Sequence, residues 1–376
     1  MSVSDLKTST LLNDASASSK TNGDEKTKNF TLERVADLAE LLASKVETAI
    51  NEIERFNSQT HMIAINARIE ASRAGQAGKA FAVVAEQMNE LSTKIGTVNK
   101  KMKRESKDAM AELGDLIKTQ ATNVRGTRLS DLALTNIDLI DRNLYERSAD
   151  IRWWAADSSV VTALTQKTKD EYSTASNRFG TILNAYTVYY DLVLCDTEGN
   201  IVANGKPQRY NSVGKNVSDA IWFKSAMQTS SGKEFGFQSV HKCPMINGES
   251  AIVYSCTVRE NGNTNGKIIG VLGTVFNWES LAQKIVQNIS LNDAEKSNSR
   301  VCIVDNDGLV LADSEGKILE DTIDFEGRNE LFYNGKGFTM ANYKGNKCFI
   351  AHAFSPGYET YSTGWHSIII QKLENT

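Results

Sequence analysis

An apolar seam repeated at heptad spacing constrains the first third of this chain more than any other feature. Apolar and small residues follow one another at alternating spacings of four and three from Val35 to Ala67, and again from Phe81 to Met102. The two seams mirror each other about a point between Gly75 and Gln76, so that 49 pairs with 102, 56 with 95 and 67 with 84. Facing layers of an antiparallel hairpin lie equally far from its turn. The pattern predicts a helical hairpin over residues 30–125, with its turn near 75–78 and the seams facing each other.

Each predicted arm of about 40 residues would span ~60 Å at 1.5 Å per residue. A stalk that is long and thin buries little apolar surface by itself. We therefore expect two copies of the hairpin to associate as a homodimeric four-helix bundle.

The composition of the chain changes near residue 144: 26 of the 29 aromatic residues lie after this position. The polar residues 1–29 predict a disordered N-terminal tail. Residues 128–185 predict a long helical segment with breaks. Strand–turn–strand patterns then occur twice, in YDLVLCDTEGNIVANG and SRVCIVDNDGLVLADSEGK. We interpret residues 126–376 as an α+β domain with antiparallel sheets, containing a first module at 186–285 and a smaller second module at 300–376. The overall class is mixed, α followed by α/β.

The predicted turn carries the most specific motif, MIAINARIEASRAGQAGKAFAVVAEQMNELS. This stretch resembles the signalling tip of methyl-accepting chemotaxis proteins, a bacterial chemoreceptor family. The resemblance implies docking of the histidine kinase CheA and the coupling protein CheW, and assembly of dimers into trimers. It assigns these partner contacts to Asn66, Glu70, Arg73, Gln76, Val83 and Val84, and the turn itself to Gly75 and Gly78.

Two departures from the family pattern affect what the resemblance implies. The family usually has Glu where this chain has Gln76, which removes a charge from the surface between dimers. The arms outside the tip also lack the paired Glu and Gln residues that receptor methyltransferases modify. We therefore expect no adaptation by methylation.

The remaining two thirds resembles a Cache domain, an extended PAS-like sensor, in its double form. The features that carry this resemblance are the leading helix NLYERSADIRWWAAD, the repeated strand–turn–strand pattern, GVLGTVFNW and SPGYETYSTGW. The resemblance implies a small-molecule pocket in the first module. Its candidate residues are Tyr190, Arg209, Trp222, Tyr254 and Asn277. Ala220 stands where amino-acid-binding members have Arg, so we expect a small carboxylate or neutral metabolite in preference to an amino acid.

Other functions find little support in the sequence. The motifs GxxxxGK[ST], HExxH and GxSxG are absent, so no enzymatic activity and no cofactor is expected. The net charge of −4 gives no electrostatic reason to bind nucleic acid. Five scattered cysteines indicate free thiols in a reducing compartment. No membrane span or signal peptide is predicted, which favours a cytoplasmic location. His241, His352 and His366, with Cys243 or Cys348, leave a metal cluster as an open but disfavoured alternative.

Two function classes remain at this point. In the first, the chain is a soluble chemoreceptor-like transducer whose sensor controls a kinase through the hairpin tip. In the second, it is a binding module with a degenerate coiled-coil tip, which sequesters a ligand or CheW without controlling the kinase. Measuring CheA autophosphorylation in the presence of the chain separates the two.

Overall fold

The computed structural model describes residues 32–373, so the predicted tail at 1–29 lies outside the described residues. The chain divides into two compact units, with the division between Val124 and Arg125.

The first unit is an antiparallel hairpin of two long helices. Helix α1 covers Leu32–Arg73, a short 3₁₀ turn covers Gly75–Gly78, and α2 begins at Lys79 and continues to Trp154. Gly75 has a φ of +54°, a conformation that glycine adopts without strain. At Gly78, a Cβ would lie 2.0 Å from the carbonyl oxygen of Ala71, so this position requires glycine. The predicted turn is therefore formed by the two glycines that the sequence places there.

The layers that join the two arms differ from the predicted seams by a small shift. Asn57 and Ser92 hydrogen-bond each other across the arms, and the Asn99 side chain donates to the carbonyl oxygen of Ile50 at 3.2 Å. The buried layers between the arms contain Ile50, Ala64, Ala71, Gly78, Ala85, Ser92 and Asn99. The hydrogen-bonded positions sum to 149, whereas the predicted seams sum to 151. The mirror symmetry of the sequence is present, but smaller and more polar residues form the contact.

Many of the large residues of the predicted seams are consequently exposed. Phe81 is 72% exposed, and the side chains of Leu42, Ile53, Phe56, Ile63, Val84, Leu91 and Val98 are also exposed. Two helices cover only a narrow stripe of one another, so the wider apolar face has no cover from the hairpin's own arms. The prediction that the large seam residues of one chain face each other was wrong.

The second unit opens with helices that lie against both sheets. The last part of α2 buries Leu129, Ala133, Ile137, Ile140, Leu144 and Ile151. Helix α3 (Ser158–Gln166) and helix α4 (Lys169–Ala185) follow, capped by Asp157 and Thr168. The predicted long helical segment 128–185 is thus three helices with breaks at 155–157 and 167–168.

Two five-stranded antiparallel sheets form the rest of the unit. The first contains β1 (Tyr189–Cys195), β2 (Ile201–Asn204), β3 (Gly236–Lys242), β4 (Ser250–Arg259) and β5 (Ile268–Phe276), in the order β2-β1-β5-β4-β3. The second contains β6 (Ser299–Val304), β7 (Val310–Asp313), β8 (Lys336–Tyr343), β9 (Asn346–Phe354) and β10 (His366–Lys372), in the order β7-β6-β10-β9-β8. The strand order is the same in both, which gives the unit its duplicated architecture.

Short helices cover the face of each sheet that is turned away from the long helices. Helix α5 (Ile221–Met227) covers the first sheet, and α8 (Arg328–Tyr333) covers the second. We call these the cap faces. Helices α6 (Trp278–Gln287) and α7 (Asp293–Ser297) connect the two modules. The second module is expected from the sequence to be smaller, and its sheet has as many strands as the first.

From residue 32 to residue 373, no helix combines the length and the apolar character that crossing a bilayer demands.

Candidate functional site

The hairpin turn presents its candidate partner residues on the surface. Glu70 and Arg73 form an ion pair at 2.7 Å between Oε1 and Nη1, and both side chains are largely exposed. An exposed pair of this kind adds little to the stability of the helix, typically 0.2–0.5 kcal/mol. Asn66, Gln76, Val83 and Val84 are exposed as well. All six predicted contact residues are thus accessible, and the charges at 70 and 73 are available to a partner.

The cap face of the first sheet is an apolar cluster built around Trp222. The indole is 1% exposed and lies against Gly273, where its ring carbons would be 3.0 Å from a Cβ at that position. Val193, Tyr210, Phe223, Met245 and Val271 complete the cluster. The hydroxyl of Ser255 donates to the carbonyl oxygen of Trp222 at 2.7 Å, which fixes the start of α5. A ligand on this face would have to displace the indole.

Tyr190 and Arg209 lie at the edge of the same cluster. Tyr190 packs against it, and burial together with the nearby Glu249 and Glu279 raises the pKa of its hydroxyl to about 12. The Arg209 guanidinium lies 5.2 Å from the ring centre of Tyr210 and is otherwise exposed. The structure therefore brings Tyr190, Arg209 and Trp222 to one side of the first sheet.

The other two ligand candidates lie elsewhere. Tyr254 points to the opposite face of the sheet, because neighbouring residues of a strand alternate in direction. There its hydroxyl is 2.6 Å from that of Tyr361, and burial holds the pKa of both hydroxyls well above the usual range. Asn277 is not on a strand but caps α6, accepting a hydrogen bond from the Ser280 N–H at 3.1 Å. The five predicted residues do not form one pocket.

A family model for the Cache domain matches residues 4–375, nearly the whole chain. The chain belongs to the Cache domain family. The Cache fold is a sensor fold that binds ligands without catalysis.

A solved structure agrees with this fold. The sensor domain of the histidine kinase DctB from Vibrio cholerae superposes with a TM-score of 0.51 at 12% identity, covering 68% of this chain and 99% of that one. The ligand-binding domain of the Campylobacter jejuni chemoreceptor Tlp3, solved with 4-methylisoleucine, has a TM-score of 0.49 at 14% identity, covering 65% and 90%. At 12% identity the likeness to the DctB sensor domain concerns the fold alone.

Curated relatives are chemoreceptors that match only in part. A probable chemoreceptor from Sinorhizobium fredii is 40% identical over 82 residues, which are 22% of this chain and 9% of the relative. The chain thus spans a small fraction of the length of that protein.

The sequence analysis missed a buried carboxylate that joins α2 of the Cache domain to a loop. Asp141 accepts hydrogen bonds from Ser355 Oγ at 2.6 Å, from the Gly357 N–H at 2.8 Å, and from the Thr363 N–H and hydroxyl. We call residues 355–364, which connect β9 and β10, the clamped loop. Tyr361 of this loop reaches Tyr254 of the first sheet. A periodic helix pattern gives no sign that one aspartate on it is fully buried.

Two further buried charges of the Cache domain were also missed. Asp191 of β1 accepts from the Asn204 side chain and from the N–H groups of Leu192, Gly205 and Lys206, although burial raises the pKa of its carboxyl. In the second module Arg300 bonds Asp313 with two nitrogens and also contacts Asp321 and Tyr343. Each charge has its partners within the fold, so both serve the architecture.

The residues considered for a metal site do not form one. Within the stretch 32–373, no group of three or more His, Cys, Asp or Glu side chains has a geometry that could hold a metal ion. The five cysteines are buried free thiols. Burial raises the pKa of the Cys256 thiol to about 11, which keeps it protonated at neutral pH.

Proposed function

We propose that this chain is a chemoreceptor-like signal transducer of the cytoplasm, in which the Cache domain receives a small-molecule signal and the hairpin turn docks CheA and CheW. The observation that carries the proposal is the exposure of Glu70, Arg73, Val83 and Val84 at a glycine turn whose sequence resembles the chemoreceptor tip. Membership of the Cache family supports the sensory half of the proposal.

The exposed apolar face of the hairpin supports association of two copies. The large residues of the predicted seams, including Phe56 and Phe81, lie outside the narrow contact between the arms. Exposed apolar faces of this length are rare in monomeric proteins and are typical of association surfaces. In the proposal, a second copy covers this face and completes a four-helix bundle, from which trimers of dimers could assemble.

Helix α2 supplies a physical route from the sensor to the tip. It runs from Lys79 to Trp154, so that one helix forms the second arm of the hairpin and also contributes Asp141 and a buried apolar face to the Cache domain. A ligand that favours one of two packings of α2 would shift their populations by its difference in affinity for them.

The first module is the proposed ligand site, with Tyr190, Arg209 and Trp222 as its residues. Trp222 fills the cap face, so binding would require the indole and α5 to move. Arg209 is exposed at the edge and could attract a carboxylate. A small organic acid or neutral metabolite is therefore the proposed ligand class.

The docking claim is tested with purified full-length chain, CheA and CheW in a pull-down experiment. We expect Arg73→Glu to abolish capture of the kinase complex, because it places like charges at 70 and 73 on the tip surface. The matched control is Arg104→Glu, an exposed charge reversal on α2 away from the turn. Analytical ultracentrifugation should show both variants as dimers. Capture of the complex by Arg73→Glu at the wild-type level would contradict the proposal.

A further inference from the structure

The cap face of the second sheet contains a buried pair of histidines that the proposed function does not use. His352 of β9 and His366 of β10 are 0% and 3% exposed, and their Nε2 and Nδ1 atoms lie 2.7 Å apart. The chain has only four histidines, the others being His61 and His241. Two imidazoles in direct contact inside an apolar cluster are an unusual use of polar side chains, because burying them costs free energy.

The hydrogen bonds fix the tautomer of both rings in the neutral pair. His366 Nε2 lies 2.9 Å from Oδ1 of Asn306, which can only accept, so His366 donates there. When the pair is neutral, Nδ1 of His366 then accepts from His352 Nε2. His352 Nδ1 is left as an acceptor, and it is buried with no hydrogen-bond partner among the described residues. The neutral arrangement therefore directs one free lone pair into the protein.

The described surroundings of the pair consist of aromatic rings and a cation, with no anionic partner. Phe332 of α8 stacks on both imidazoles, with ring centres 5.0 Å from His352 and 4.0 Å from His366, and Phe354 lies beside His366. The nearby charged group is Arg328, a cation. Among residues 32–373, no carboxylate hydrogen-bonds either ring.

Among the described residues, no hydrogen bond or ion pair joins an acidic side chain of the adjacent segments to either ring. Asp305 accepts from N–H groups of its own turn, Asp307 offers Arg328 its backbone carbonyl, and the exposed Asp324 lies 3.8 Å from Arg328. Burial and the neighbouring His366 lower the pKa of His352 to about 3, and burial and the Arg328 cation lower the pKa of His366 to about 4.

The pair stands at the root of the clamped loop. His352 lies two residues before the end of β9 and His366 begins β10, so the two strands that carry them lead into and out of residues 355–364. This is the loop that Asp141 of α2 holds. His366 also holds the 305–308 turn through Asn306, and Phe332 ties α8 to the same pair. Protonation of the pair would therefore affect α8, the 305–308 turn and the clamped loop together.

We propose that His352 and His366 form an acid-responsive latch, which holds α8 and the 305–308 turn on the second sheet when neutral and releases them when protonated. The inference does not depend on the hairpin or on kinase coupling. Its direction follows from linkage. A histidine whose pKa is lowered by folding takes up its proton on unfolding, so stability is full above the unfolded value near 6.5 and falls as the pH drops below it.

The test uses the full-length chain, with urea unfolding followed by tryptophan fluorescence at pH 7.5 and pH 5. All five tryptophans lie beyond residue 152, in the unit that contains the pair. At pH 5 a histidine that is neutral in the folded state and protonated in the unfolded state raises the equilibrium constant for unfolding by about 30-fold relative to pH 7.5. The pair together therefore raises it by about 1,000-fold. His352→Leu should reduce the pH dependence by about 30-fold. His61→Gln, in the other unit, is the control and should leave it unchanged.

A second measurement uses wild-type protein, so that it does not depend on a variant that folds. In an NMR titration of labelled histidines, the signals of His352 and His366 should stay neutral through pH 5 in the native state. Hydrogen exchange, corrected for its intrinsic pH dependence, should increase at 305–308 and 328–333 as the pH falls to 5, relative to β1. Titration of both rings near pH 6.5, unchanged exchange in these segments, or wild-type pH dependence in His352→Leu would each overturn the latch.

Discussion

The hairpin and the second unit, which begins at Arg125 and which we call the Cache unit, bury side chains of different size. Apart from Ile50, the buried residues between the arms of the hairpin are alanine, glycine, serine and asparagine, while Phe56 is 55% exposed. In the Cache unit many large side chains, such as Trp222 and Trp278, are buried, although Trp153 and Tyr333 are exposed. Apolar burial is the main source of stability in water. The comparison teaches that the Cache unit covers most of its large apolar side chains itself, whereas the hairpin leaves many of its own exposed.

The largest effect is expected from truncating the centre of the first cap face. Trp222→Ala should lower the free energy of unfolding of the Cache unit by about 3–5 kcal/mol, because it empties a packed site against Gly273. Urea unfolding measures this value. A variant as stable as the wild type would contradict the comparison, because it would show that the cap face is not a packed core.

A smaller loss is expected from the carboxylate that holds the clamped loop. Asp141→Asn keeps the shape but replaces one acceptor oxygen with a donor, facing groups that themselves donate. We expect about 2–3 kcal/mol less stability, the usual range for a charged hydrogen bond lost in the interior. Asp138→Asn is the control on the same helix: Asp138 is partly exposed and pairs only with Arg142 one turn away, so the change should cost less than about 0.5 kcal/mol. Equal effects of the two changes would count against the clamp.

A pair of glycines tests the hairpin turn. Gly78→Ala places a Cβ against the carbonyl oxygen of Ala71 and should destabilise the hairpin by about 1–3 kcal/mol. Gly114→Ala meets nothing within 4 Å and should stabilise the helix by about 1 kcal/mol. Circular dichroism at 222 nm during thermal unfolding follows both. If the two substitutions shifted the transition in the same direction, the turn geometry would be wrong.

The smallest effect on unfolding is expected on the exposed face of the hairpin. Phe56→Ala should change the stability of the dissociated chain by less than about 0.5 kcal/mol. It should nevertheless weaken self-association at least tenfold, or about 1.4 kcal/mol, if Phe56 is covered by a second copy. Sedimentation equilibrium measures this, with Glu47→Ala on the opposite side of α1 as the control. Unchanged association would show that another surface joins the copies.

Periodic patterns predicted most of the fold. Mirror-related heptads located the hairpin and its glycine turn, and the repeated strand–turn–strand pattern located both sheets. The layers predicted to face each other differ from the observed ones, because the prediction took the largest apolar residues as the contact between the arms. Arms that approach through Ala64, Ala71 and Gly78 can come closer than arms that meet through leucine and phenylalanine. Large residues at neighbouring positions are then left for another surface.

The candidate site was less predictable, because side-chain direction decides it. Successive side chains of a strand point to opposite faces of the sheet. Tyr254 therefore lies on the face that packs against the long helices, whereas its neighbour Ser255 contacts Trp222 on the cap face. Asn277 follows a strand pattern in VFNW, but the strand ends at Phe276 and the asparagine caps a helix. The partners of Asp141 and of His352 are distant in sequence, and no local pattern announces them.

The central claim is that the Cache domain acts on a kinase through the hairpin tip, and CheA autophosphorylation tests it most directly. Full-length chain is added to CheA and CheW, and the rate of phosphate incorporation is measured beside Arg73→Glu and Arg104→Glu. The account predicts a changed rate with the wild type and Arg104→Glu, and the rate of CheA and CheW alone with Arg73→Glu. If the wild type binds the complex and the rate is unchanged, the chain is a binding module, and the proposed control of the kinase is wrong.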